Sequence, residues 1–163
     1  MTEVALREVL AADLDVFFEQ QQDEEARRMA VFGPLDPFDR EAFEARWQRI
    51  LANPGPTRTI VYGGRVAGSV NMWRDPELHA PEVTYWLGRE FWGKGIATRA
   101  LEQFLQEVPE RPLLGRAAAT NEASIRVLEK CRFVRRELIH HVVAPSGERV
   151  SEVLLELRAP AHG

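Results

Sequence analysis

The strongest constraint on this chain is an apolar strand that runs into a glycine-rich turn and directly on into a helix. The stretch is Tyr85-Trp86-Leu87-Gly88-Arg89-Glu90-Phe91-Trp92-Gly93-Lys94-Gly95-Ile96-Ala97-Thr98. A junction of this kind presents unpaired backbone N–H groups and the positive end of a helix to an anion. The glycines let a ligand approach the main chain with no Cβ in between. The junction therefore points to a phosphorylated cofactor.

Two common phosphate loops are excluded by spelling. Gly88-x-x-x-x-Gly93-Lys94 is followed by Gly95, where a nucleotide P-loop needs Ser or Thr to ligate magnesium. Gly93-x-Gly95 is followed by Thr98, where the dinucleotide pattern needs its third glycine.

The rest of the chain is ordinary for one soluble α+β domain over residues 1–163, with 45% hydrophobic and 28% charged residues. A formal net charge of −4 offers no general attraction to nucleic acid. The single cysteine, Cys131, excludes an internal disulfide and a cysteine-based zinc site. The histidines and carboxylates show no metal-ligand spacing, so no metal is expected. No apolar run approaches the ~20 residues of a membrane span, and the first residues do not spell a signal peptide. A cytoplasmic protein is expected, and a homodimer is left open.

Hydrophobic spacing predicts the order β-α-α-β-β-β-α-β-α-β-β, a mixed sheet covered by helices. Val4 to Val9 reads as the first strand. Asp13 is expected to cap a helix carrying Leu14, Phe17 and Phe18 inward. Residues 22 to 30 are charged and read as helical or mobile, and Phe32 to Pro37 as a loop. Phe43, Trp47, Ile50 and Leu51 recur at helical spacing. Gly63-Gly64 joins two apolar runs as a hairpin. Asp75 to Pro81 reads as a loop, and Glu82 begins the strand before the glycine turn. The helix after the turn turns Ala97, Leu101, Phe104, Leu105 and Val108 inward. Leu113 to Ala119 follows as a strand. Thr120 or Asn121 then caps a helix with Ile125 and Leu128 inward, and a last hairpin turns at Pro145-Ser146-Gly147.

Trp92-Gly93-Lys94-Gly95-Ile96-Ala97-Thr98 resembles the acetyl-CoA pyrophosphate loop of the GNAT N-acetyltransferases. Gly95-Ile96-Ala97 matches the second half of the family pattern, and Trp92 replaces its usual Arg or Gln. Tyr85-Trp86-Leu87-Gly88 with Phe91-Trp92 is similar to the RimJ/RimL-type branch. A second motif, Asn121-Glu122-Ala123-Ser124 with Leu128-Glu129-Lys130-Cys131-Arg132-Phe133, resembles the family helix Asn-x-x-Ser…Leu-Glu-Lys-x-Gly-Phe, with Arg132 in place of the glycine. The resemblance implies the GNAT fold over nearly the whole chain: a mixed, mostly antiparallel sheet of about seven strands with about four helices.

It also implies site residues. The backbone from Trp92 through Gly93, Lys94, Gly95 and Ile96 to Ala97 would cradle the pyrophosphate, with Thr98 adding a hydroxyl. Lys94 reads as a cation beside the anion or as a solvated lysine, and Arg99 and Lys130 as reaching the cofactor's outer phosphate or, first, as an exposed helix face. Trp86, Leu87 and Gly88 would pair with pantetheine through their main chain, and Asn121 would hydrogen-bond the same arm. Ser124, one turn on, faces the same groove. Glu82, at the head of the strand, is the candidate base. The tyrosine acid common in the family falls on Leu128, which leaves Ser124 as its replacement. His140, His141 and Cys131 read as structural, His79 carries no signal, and Asp23-Glu24-Glu25 reads first as a solvated face.

The resemblance implies acetyl transfer from acetyl-CoA to a primary amine by direct attack, with a protein N-terminal α-amine favoured by the branch. A small-molecule amine (polyamine, amino acid or antibiotic) and a non-catalytic acyl-CoA sensor are the alternatives.

Overall fold

The computed structural model describes residues 2–30, 34–74, 80–143 and 147–159. The strands are β1 (Val4–Arg7), β2 (Thr57–Tyr62), β3 (Arg65–Trp73), β4 (Glu82–Leu87), β5 (Leu113–Ala118), β6 (Val134–Val143) and β7 (Arg149–Leu157). The helices are α1 (Ala11–Gln20), α2 (Glu24–Met29), α3 (Arg40–Ala52), α4 (Ile96–Glu107) and α5 (Glu122–Lys130). The strands form one sheet in the order β1-β2-β3-β4-β5-β7-β6. Every pairing is antiparallel except β4 with β5.

Side chains alternate across the sheet. Val83, Leu87, Leu113, Ala117, Val153 and Leu155 face α4 and α5, where Leu101, Phe104, Ile125 and Leu128 complete the main core. The opposite face carries Ser69, Asn71, Trp73, Glu82, Thr84 and Trp86, and α1 to α3 stand over it. Phe17, Phe43 and Trp47 make the small core of that layer, with Phe17 stacked on Trp47 at 4.9 Å between ring centres.

The charged stretch before Ala30, read as helical or mobile, is ordered as α2, which brings the α-helices among the described residues to five, beside the about four expected. Asp23 caps it, accepting the Ala26 N–H at 3.0 Å. Asp13 is not the cap of α1. That position is Leu10, and Asp13 reaches back from the first turn to accept the Leu10 N–H at 2.8 Å. Leu51, expected inside, is 48% exposed, because α3 turns only Phe43 and Trp47 fully inward. Gly63 and Gly64 take φ values of +56° and +80°, the left-handed pair that a two-residue hairpin turn needs. The parts of the expected loops and of the last turn at 31–33, 75–79 and 144–146, and His79 with them, lie outside the described residues.

Arg132 shows what the missing glycine costs. It takes φ +73° just past α5, where its N–H donates to the Glu129 carbonyl and the Phe133 N–H to that of Leu128, both at 3.0 Å. This is the Schellman cap usually given to glycine.

Asp13 is 2% exposed. It accepts two hydrogen bonds from Arg7, at 2.6 and 2.9 Å, and one from the Thr59 hydroxyl at 2.7 Å. Burial alone would raise its pKa, but these bonds together with that from Leu10 hold it below the ordinary carboxylate value. A depressed carboxyl stabilises the fold above its unfolded pKa of ~3.9 and loses that contribution as pH falls through the folded value. Asp13→Ala should therefore cost about 2 kcal/mol in urea unfolding at pH 7. The gap to the parent should close below about pH 4.

Candidate active site

Strands β4 and β5 are in register only at Glu82 opposite Leu114, with the Leu114 N–H donating to the Pro81 carbonyl at 2.9 Å. Beyond that point they splay, and a cleft of about 950 Å³ opens between them. Helix α2 stands across the mouth. Its cap Asp23 lies 3.6 Å from Arg89 after β4, and its Met29 carbonyl accepts from Asn121 Nδ2, after β5, at 3.2 Å.

The glycine turn closes one end of the cleft. Gly93 and Gly95 take φ values of +73° and +74°, and a Cβ on either would meet nothing within 4 Å. Among the described residues, no acceptor pairs with the backbone N–H groups from Gly93 to Thr98. These groups lie at the start of α4, next to glycines whose Cβ positions are open. An anionic diphosphate fits this cradle: unpaired donors, a positive helix end and no side chain in the way.

Most of the predicted cofactor residues line the cleft: Trp86, Leu87, Trp92, Gly93, Gly95, Ile96, Ala97, Thr98, Asn121, Ser124 and Lys130. Gly88 and Lys94 do not. The Gly88 N–H donates to Ala67 at 2.9 Å, which turns it toward β3, and the Lys94 side chain stands in solvent. Arg99 is also directed away, donating to the Thr2 carbonyl at 2.9 Å with its guanidinium over the Tyr62 ring. The Trp92 indole, in the place of the usual Arg or Gln, donates to the Leu87 carbonyl at 3.0 Å and pins the loop to the strand end. By the two-residue alternation, the main-chain groups turned toward the splay belong to Tyr85 and Leu87, with Trp86 and Gly88 turned toward β3. Asn121 uses its side chain twice in the fold, accepting the Ser124 N–H at 3.1 Å and donating to Met29.

The two candidate catalytic groups lie on opposite faces of the sheet. Glu82 faces α1 to α3. Its Oε1 is 3.4 Å from Arg116 Nε. Burial raises its pKa, Arg116 opposes the rise, and nearby Glu152 adds to it. Glu152, on β7, is 1% exposed, and its Oε1 has no hydrogen-bond partner. Burial raises its pKa too, again opposed by Arg116. Ser124 faces the other way, toward Tyr85, with 2.9 Å between the two hydroxyl oxygens. Burial raises the Tyr85 pKa, against the bond to Ser124, so the phenol keeps its proton.

Tyr85 and Glu152 were missed as candidate site residues. Tyr85 lies in the diagnostic stretch, but nothing in its spacing singles out its hydroxyl. Glu152 lies in a hairpin whose alternation alone does not say which face meets the cleft. Three of the buried side-chain polar atoms without a partner belong to cleft residues: Arg27 Nε, Trp86 Nε1 and Glu152 Oε1. Folded proteins rarely leave such atoms unpaired, so their concentration here marks a surface built for a polar ligand. Cys131 is buried against α4, with its thiol pushed up to about 11 by burial, a core residue and not a nucleophile. Asp23 caps α2 and pairs with Arg89, while Glu24 and Glu25 in its first turn pair with Arg28. No helix is long and apolar enough to cross a membrane, and no metal-binding group is found among the described residues.

Residues 3–134 match the acetyltransferase (GNAT) domain. The chain belongs to the GNAT acetyltransferase family. Over 101 residues it is 32% identical to the Bacillus subtilis (strain 168) protein named "Putative ribosomal N-acetyltransferase YdaF", covering 58% of this chain and 55% of that one. It thus spans about half the length of that curated relative. Mycobacterium smegmatis RimJ in complex with CoA-disulfide shares the GNAT fold with a TM-score of 0.81 at 19% identity, covering 96% of this chain and 82% of that one. Microcin C7 self immunity acetyltransferase MccE, in complex with acetyl-CoA and AMP, gives 0.82 at 16% identity, covering 96% and 93%. At these identities the likeness is one of fold.

Proposed function

We propose that this GNAT protein, folded as a single domain, transfers an acetyl group from acetyl-CoA to a primary α-amine in one ternary complex. The observation that carries the proposal is the cleft itself, with an open diphosphate cradle at one end and a raised-pKa carboxyl on its other wall. The YdaF match and the likeness to RimJ support the RimJ/RimL-like branch and, with it, an α-amine acceptor.

Bound acetyl-CoA would supply a thioester carbonyl open to attack by an amine. The chain would bind it through the N–H groups of Gly93 to Thr98, through the main chain of Tyr85 and Leu87, and through Lys130. Glu82 takes the proton that an acceptor ammonium must lose before it can attack, directly or through one water. A carboxylate above its ordinary pKa is the stronger base, and the Arg116 guanidinium opposes the rise that burial causes. Tyr85, paired with Ser124, stands on the far side of the sheet with a proton to give to the departing thiolate. Base and acid therefore work from opposite faces, with the splay between them. No side chain reads as an activated nucleophile, so transfer is direct.

Arg116→Ala tests the assignment. It removes the group that lowers the Glu82 pKa, so the acid limb of kcat/KM should move to higher pH. A limb that stays in place or moves down contradicts Glu82 as the base.

A further inference from the structure

Three acidic side chains are buried among the described residues: Asp13, Glu152 and Glu156. Two of them are saturated. Asp13 takes two bonds from Arg7 and one each from Leu10 and Thr59, and Glu156 pairs with Arg136 at 2.5 Å and with Arg158 at 2.7 Å. Glu152 is the most buried of the three, and its Oε1 meets no donor. A bare oxygen on a buried carboxyl costs stability. The residues opposite Glu152, Ala118 on β5 and Ile139 on β6, would pack as well on an apolar side chain. This carboxyl therefore serves something besides the packing of β7.

The register places it beside the candidate base. Glu82 stands opposite Leu114, Arg116 opposite Leu154, and Glu152 opposite Ala118. Leu114, Arg116 and Ala118 alternate onto one face of β5. Glu82, Arg116 and Glu152 therefore share the sheet face under α1 to α3, with Arg116 on the strand between the two carboxyls. Arg116 reaches Glu82 through a single contact, Nε to Oε1 at 3.4 Å. The committed arginine pair of this fold, Arg7 on Asp13, has two bonds, at 2.6 and 2.9 Å. Against the rise that burial causes, such bonds hold Asp13 below the ordinary carboxylate value. At Glu82 burial outweighs Arg116, Glu152 adds to the rise, and the value stays above. Glu156 has partners of its own, and Arg27 on α2 and the exposed Arg46 and Arg49 on α3 line the same cleft. Arg116 alone among these charges offsets the rise that burial causes at Glu152.

We propose that Glu152 is a positioning residue for the transfer: from the far side of Arg116 it draws on the guanidinium, keeps it from closing on Glu82 as a two-bonded pair, and leaves the Glu82 oxygens free for the acceptor's proton. A guanidinium is planar and forked, so without a competitor it settles on a carboxylate with two parallel bonds. Two carboxyls on either side of one guanidinium prevent that settlement. Glu152 itself touches neither the acceptor nor the reacting atoms. The bare oxygen is the stability given up for this arrangement. The proposal rests on Glu82 as the base in the transferase reading above, and adds to it the residue that keeps that base available.

The test compares Glu152→Gln and Glu152→Met, which remove the charge, with Glu152→Asp, which keeps it. NMR titration of the Glu82 carboxyl in the free protein should show its pKa lowered in the first two, because the guanidinium then turns wholly to Glu82. Glu152→Asp should stay closer to the parent. The acid limb of kcat/KM should move to lower pH with the Glu82 titration, opposite in sign to Arg116→Ala. At its plateau kcat should fall by less than the ~100-fold of a lost base. The melting temperature of Glu152→Met should not fall, since an apolar side chain replaces a bare carboxyl. A Glu82 titration that stays in place or moves up in both charge-removing variants would overturn this proposal and leave the transferase reading intact. So would an acceptor KM that climbs while the Glu82 titration holds, which would put Glu152 in contact with the acceptor. A lowered melting temperature with an unmoved Glu82 titration would make Glu152 a structural residue. Tight acetyl-CoA binding with no acceptor acetylated by the parent would overturn the transferase reading, and this role with it.

Discussion

Gly95→Val should raise the Kd for acetyl-CoA at least ~100-fold while the protein stays folded. Gly95 sits at φ +74°, ψ +10°, immediately before α4. A β-branched residue is strained there, and left-handed geometry costs an ordinary residue about 1–2 kcal/mol. The larger effect is on the ligand. The new side chain would fill the open side of the cradle and tilt the N–H groups that converge on it. A hydrogen bond to a charged group contributes about 1.5–3 kcal/mol, so losing two gives roughly a 10²- to 10⁴-fold weaker complex. Gly64→Val is the control. Gly64 has φ +80° and equally open surroundings, in a hairpin turn outside the cleft. It should lose comparable stability and bind acetyl-CoA normally in calorimetry. Equal loss of binding in both variants would reduce the cradle to a stability effect.

Glu82→Gln should lower kcat by ~100-fold or more, the usual contribution of a positioned base, with acetyl-CoA Kd within about twofold of the parent. Glutamine keeps the volume and polarity of the side chain, so the cleft wall survives and only proton acceptance is lost. The deficit should shrink with rising pH. An α-amine has a pKa of ~7.7–8.0 and deprotonates unaided above it, whereas a lysine side chain at ~10.4 stays dependent on the base. The pH at which the variant recovers therefore also reports the acceptor's own pKa. Glu152→Gln should cost less, since Glu152 acts on the reaction through Arg116 and Glu82. A Glu82→Gln enzyme with parental kcat at pH 7 would remove Glu82 from the chemistry and place the burden on Glu152.

The donor end of the cleft was legible in the sequence because main-chain geometry built it. Gly93 and Gly95 take the positive φ that other residues rarely adopt, and their residue type marks the turn in the sequence. At Arg132 the backbone keeps the left-handed geometry that the family pattern gives to glycine, although the residue type does not announce it. The acceptor end was not legible, because tertiary contacts assemble it. Tyr85 meets Ser124 only because β4 and β5 splay beyond Glu82. Glu152 reaches Arg116 only because β7 returns between β5 and β6. Helix α2 is six residues, four of them charged, with no apolar period, held by its Asp23 cap and its docking across the cleft mouth. Asp13 was recognised as a residue that satisfies a helix N-terminus. Its reach back to Leu10, from inside a buried network with Arg7 and Thr59, depends on β2 lying alongside.

The most direct test of the account is thiol release from acetyl-CoA, followed with a thiol-reactive dye across amino acids, other small amines and short peptides with free N-termini. Amine-dependent release above the hydrolysis background, lost in Glu82→Gln near neutral pH, is the result this account predicts. Acetyl-CoA that binds tightly yet releases no thiol with any amine would contradict it and leave an acyl-CoA sensor in its place.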